Sequence, residues 1–153
     1  MPATATEILA SYGVEEDTDF YREFTDPRDR AALTVPLRIT HAWKTNDADE
    51  FAGVFTENGS LLMQDEQLTS REQIRAYMQA GFDGPLAGAH VKGWPLQVTF
   101  LAEDTAMVIT QGGIILDGET ETAPERQIRA TWIVVERDGE WSLLSHQSSP
   151  IRG

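Results

Sequence analysis

The chain has no cysteine, so it has no disulfide frame, no thiol nucleophile and no thiolate metal site. Histidine is almost as scarce. Only His41, His90 and His146 are present, with no HxH or HxxxH pair among them, so no metal site is expected. Positive charge is also short: 12 Lys and Arg face 25 Asp and Glu, a net charge of -13. That balance repels phosphate backbones and anionic lipid, which excludes nucleic acid and membrane surfaces as expected partners. No apolar run approaches the ~20 residues of a membrane span. The N-terminal "MPATATEILASYG" lacks the basic-then-apolar pattern of a secretory leader, so the cytoplasm is the expected location. No glycine-rich phosphate loop occurs either, and no cofactor is expected.

What is present is a globular composition, 41% hydrophobic and 24% charged across 153 residues, enough for one core without staples. Residues 1–24 read as an acidic N-terminal arm. Its Ile8, Leu9, Tyr12, Phe20, Tyr21 and Phe24 are too apolar for a free tail and predict partial docking. Residues 25–153 read as a single domain. "TDPRDRAALTVPLRITHAWKTN" predicts a long helix capped by Thr25 or Asp26, with Pro27 in its first turn and a kink at Pro36. The acid-rich "NDAD" that follows could be a site or a corner. Asn46 suits a helix end and Asp47 a cap for a short helix through Phe51 and Val54, so the corner is the better reading. After a "TENGS" turn come a short strand, "SLLMQ", and a helix opened by the capping-box pattern Ser70 to Gln73.

The second half is strand territory: "AHVKGWPLQVTFLA", "TAMVITQGGIIL", "RQIRATWIVVER" and "EWSLLSHQSS". Asp138-Gly139 marks a two-residue hairpin that pairs Arg137 with Glu140. A regular register counted from there sets His146 opposite Thr131, on one face with Arg129 and Ile133. Trp132, Val134, Leu143 and Trp141 then share the other face. Both faces are apolar, and helices of one chain this size cover only one, so the face bearing Trp132 is expected to pair with a second copy. Helices followed by a strand meander predict an α+β fold, a curved and mostly antiparallel sheet with three helices on one face.

These features together, the Trp43 helix, "ND", "FTENGSLLM", the "SREQI" helix and the closing "RDGEWSLLSHQSS", resemble the NTF2-like superfamily over residues 27–150. Within it the chain is most similar to the SgcJ/EcaC subgroup of enediyne antibiotic gene clusters. The resemblance implies a cone with a pocket between sheet and helices, a homodimer, and a hydrophobic polyketide-derived ligand. Ketosteroid-isomerase relatives share the fold and use a carboxylate base with tyrosine and protonated-aspartate donors. The matching positions here are Met63, Ile39 and Thr131, so that chemistry is excluded.

By the same alignment Ile39, Trp43, Met63, Tyr77, Met78, Arg129, Thr131 and His146 surround the pocket, and His90 and Trp94 reach its mouth. His146 and Arg129 are the candidate catalytic pair, a neutral base beside a cation that would hold a developing oxyanion. Two functions fit these residues. One is cofactor-independent proton transfer, a cyclisation or isomerisation of the intermediate. The other is a binding or dimerisation module with no catalysis.

Overall fold

The computed structural model describes residues 3–63 and 65–151. Gln64, the expected end of the "SLLMQ" strand, lies outside them, as do the outermost residues of the arm and of the C-terminus. The described residues hold four α-helices: α1 (Ala5–Ser11), α2 (Pro27–Thr45), α3 (Ala48–Gly53) and α4 (Arg71–Phe82). They also hold six strands: β1 (Phe55–Met63), β2 (Glu66–Leu68), β3 (His90–Ala102), β4 (Thr105–Ile115), β5 (Ile128–Arg137) and β6 (Glu140–Pro150). The strands form one sheet in the order β2-β1-β6-β5-β4-β3, antiparallel except where β1 runs parallel to β6. The α+β reading holds.

Local chemistry sets the helix ends. Asp26 caps α2 through the Arg28 amide, with Pro27 in the first turn, where its missing N–H costs nothing. The helix runs without interruption through Pro36 to Asn46, which adopts the left-handed conformation (φ 51°) and closes it. Asp47 then accepts the Glu50 amide at 3.0 Å and caps α3. Asn46 does more than end a helix. Its Oδ1 accepts the Gly88 amide at 2.7 Å and its Nδ2 donates to the Ala89 carbonyl at 2.9 Å, which ties α2 to the turn before β3. "NDAD" is a corner. At α4, Ser70 accepts the Gln73 amide, but Gln73 Oε1 accepts from the Thr69 amide rather than from that of Ser70. The expected reciprocal box is therefore displaced by one residue.

The arm is docked. Thr4 and Glu7 form a reciprocal cap on α1, and Ile8, Leu9, Val14 and Tyr21 join the same buried core as α2. Arg38 of α2 is 5% exposed, stacks 3.6 Å from the Tyr12 ring centre, and donates to the Trp141 carbonyl at 2.8 Å. One buried guanidinium thereby joins arm, helix and last strand, satisfied by a carbonyl and an aromatic face.

The β5–β6 hairpin corrects the predicted faces. Asp138 and Gly139 both take positive φ (54° and 80°), as the two-residue turn requires, and Arg137 pairs with Glu140 as expected. The register then shifts between Ile133 and Val134: Val134 pairs with Leu143 but Ile133 pairs with Ser145, leaving Leu144 as an extra residue. Beyond that bulge every β6 side chain changes face. His146 pairs with Trp132, not Thr131, and shares the inner face with Ala130 and Leu143. Trp132 (6% exposed), Val134, Leu143 and Trp141 are buried against the chain's own helices, so they are not the surface of a second copy. The convex face instead carries Met107, Ile109, Thr131 and Ile133, all partly exposed.

Candidate functional site

Between the inner face of the sheet and helices α2, α3 and α4 lies a cavity of about 780 Å³. Its inner wall follows from the corner. Trp43, Phe51 and Phe55 all line it, and Trp43 meets Phe51 and Phe82 edge-on at 6.0 and 5.4 Å. The "NDAD" turn fixes the angle between α2 and α3, and so the aromatic rings that face inward. Edge-to-face packing of this kind holds ring positions more tightly than aliphatic contact does. Gly59 sits against this frame, because an added Cβ would come 2.9 Å from Phe55 Cβ.

Polar groups in the interior are few. Trp132 Nε1 donates to the buried Thr110 Oγ1 at 2.8 Å, so that pair is satisfied. His146 is not. Its ring packs edge-on against Trp132 at 4.5 Å, and its Nδ1 is buried without a hydrogen-bond partner. Burial pushes its pKa from 6.5 down to about 4, against a smaller opposing effect of its own main chain. The imidazole is therefore neutral near pH 7, with one nitrogen able to accept and the other to donate.

The solvent-exposed end of the cavity is built from strand ends: Asp65 after β1, Lys92 in β3, and Ser149 and Pro150 in β6. Arg126 joins them from the β4–β5 connection. Its Nη2 donates to Glu119 Oε1, which also accepts the Leu116 amide at 2.9 Å, while its Nε is buried without a partner. Gly113 lets that connection close on the sheet, since a Cβ there would lie 2.6 Å from the Arg126 carbonyl oxygen.

Of the residues singled out from sequence, Ile39, Trp43, Met63, Tyr77 and His146 line the cavity. The other five sit elsewhere. Met78 is fully buried in the helical core, and His90 is exposed at the start of β3. Trp94 lies beneath the Arg22 guanidinium, 4.9 Å from its ring centre. Thr131 and Arg129 point to the convex face, where Arg129 Nε donates to Gln111 Oε1 at 3.2 Å. His146 and Arg129 thus fall on opposite sides of the sheet. Sequence reasoning missed Phe20, Thr110 and Arg126. The only readable sign of Arg126 was its place as the lone cation in "DGETETAPERQ", downstream of the strand-end Gly112-Gly113.

Residues 29–146 match the family described as a SnoaL-like domain. No curated protein matches the chain. Among solved structures, a domain of unknown function with a cystatin-like fold from Nostoc punctiforme is similar, with a TM-score of 0.75 and 24% identity over 84% of this chain and 81% of that one. A putative calcium/calmodulin-dependent protein kinase II association domain from Xanthomonas campestris gives a TM-score of 0.65 at 25% identity, over 86% and 91% of the two chains. A putative association domain of the same description from Thiobacillus denitrificans gives 0.67 at 16% identity, over 78% and 94%.

Proposed function

The chain belongs to the SnoaL-like domain family of the NTF2-like superfamily, and on that footing we propose that it holds a long hydrophobic intermediate of polyketide-derived, enediyne-type biosynthesis in its cavity. The observation that carries this reading is an interior of aromatic and aliphatic walls in which His146 Nδ1 is buried and unpartnered. Leaving such an atom unpaired costs about 1–3 kcal/mol, which a hydrogen bond to a ligand offsets. The similarity of "FTENGSLLM" and "RDGEWSLLSHQSS" to the SgcJ/EcaC subgroup supports the narrower assignment to enediyne chemistry.

Catalysis is the second reading, and the free His146 nitrogen is what favours it. A neutral imidazole inside an apolar chamber can relay a proton during cyclisation or isomerisation. Its depressed pKa makes it a weak base, and Arg129 is on the far face, so ligand holding fits the geometry better. A homodimer through the convex face around Ile133 accompanies either reading, supported by the apolar side chains there and by the likeness to putative association domains.

The protein purified from a producing host should release a single class of hydrophobic small molecule on extraction, read by mass spectrometry. His146→Leu should retain less of it, roughly tenfold less for one lost hydrogen bond in an apolar site. Conversion of the extracted molecule by wild type but not by His146→Leu would move the protein to the catalytic reading. An empty wild-type cavity under those conditions would sink both.

A further inference from the structure

Hydrophobic walls say little about which end of a ligand goes where, but the charges at the rim do. Among the described residues only Asp65, Lys92 and Arg126 are charged and line the cavity, with Glu119 paired to Arg126 behind them, so the wall itself presents two cations and one anion in a chain of net charge -13. We infer that the occupant is an amphipathic anion, with its apolar body in the interior and a carboxylate held at the rim by Arg126, Lys92 standing alongside. This rests on the proposal that the cavity binds a hydrophobic small molecule, and adds its charge and its orientation.

The geometry around Arg126 carries the inference. Glu119 takes the guanidinium through Nη2 and is itself held by the Leu116 amide, so it orients the group. The Arg126 Nε–H remains enclosed with no partner, beside the cavity it lines. Arginine keeps its proton in a protein, so this N–H is a standing donor that a ligand oxygen at the rim can take up. A hydrogen bond from a charged donor to a carboxylate is about twice as strong as a neutral one. Lys92 reaches the same place because it pairs with Gly113, against which the Arg126 main chain packs. His146 lies deeper, next to Trp132, so the two unpartnered nitrogens mark two depths: an outer site for the anion and an inner site for a neutral polar atom.

Calorimetric titration with decanoate and with decan-1-ol, which share a chain length and differ in the charged end, tests this. Wild type should prefer decanoate by at least about tenfold, as one charge-assisted bond at a partly enclosed site implies. Arg126→Met should bring the two affinities within about twofold of each other. Arg126→Lys keeps the charge without an Nε and should recover only part of the preference, which guards against a fold defect in the first variant. Equal affinity for both probes in wild type, or a decanoate preference that survives in Arg126→Met, would overturn the anion assignment and leave cavity binding intact. Failure of wild type to bind either probe would overturn the cavity-binding reading itself.

Discussion

His146 shows how a single residue can be legible in kind and misplaced in space. As the one histidine expected inside the pocket, with His90 only at its mouth, it stands out in the sequence as the group suited to proton transfer. Its side of the sheet, and so its neighbours, depends on the irregularity in β6 between the partners of Ile133 and Val134, which composition does not reveal. The consequence is measurable through pH. An unfolded imidazole titrates near 6.5, whereas burial holds His146 at about 4 in the fold. Between those values the unfolded chain takes up a proton that the folded chain refuses, so stability falls as pH drops through that window. Below about 4 both states are protonated and this contribution levels off. Urea unfolding at pH 7 and pH 4 should show wild type losing roughly 1–3 kcal/mol more than His146→Gln. The carboxylates titrate in both proteins and cancel in the difference. Equal losses would mean the ring is solvated.

At the scale of elements, caps were readable because they depend on neighbours in sequence. Asp26, Asn46, Asp47 and Ser70 act where their residue types suggest, each through a main-chain amide or carbonyl within a few residues. The β6 bulge was not read, although "SLLSH" carries a trace of it: two adjacent leucines break the alternation that a regular strand would keep. Leu143 faces the core and Leu144 is the extra residue, so removing Leu144 should leave a regular strand with His146 still beside Trp132. Deletion of Leu144 should therefore preserve the ring-to-ring NOE between His146 and Trp132, at a cost of roughly 0.5–3 kcal/mol for the lost bend. Absence of that NOE in the wild type would refute the bulged register.

For the whole molecule, the proposed dimer would use the other side of the sheet from the one a regular register indicates. Helices cover Trp132, Val134 and Leu143, while Met107, Ile109 and Ile133 stay partly exposed on the convex face. Light scattering at micromolar concentration should give a dimer for wild type and a monomer for Ile133→Glu, because a charge at the centre of a pairing surface is left desolvated and unpaired. A wild-type monomer would remove the dimer from the proposal. The tightly docked arm adds a second whole-molecule feature, since its Phe20 reaches the cavity from outside residues 29–146.

The fold class, the long helices and the last four strands, the corner at Asn46–Asp47, and Trp43 and Tyr77 on the cavity wall are legible in the sequence, whereas Trp132 on that wall and the extension of β1 back through Thr56–Ser60 are not. Each legible feature follows from hydrophobic period, turn chemistry or caps, which act over a few residues. Tertiary structure alone decided which way β6 faces after Leu144, that Arg129 lies outside and Arg126 at the rim, and that β1 pairs parallel with β6. Those outcomes depend on residues far apart in the chain meeting across strands. One extra residue in a strand inverts every side chain beyond it, and no local pattern sets where that residue falls.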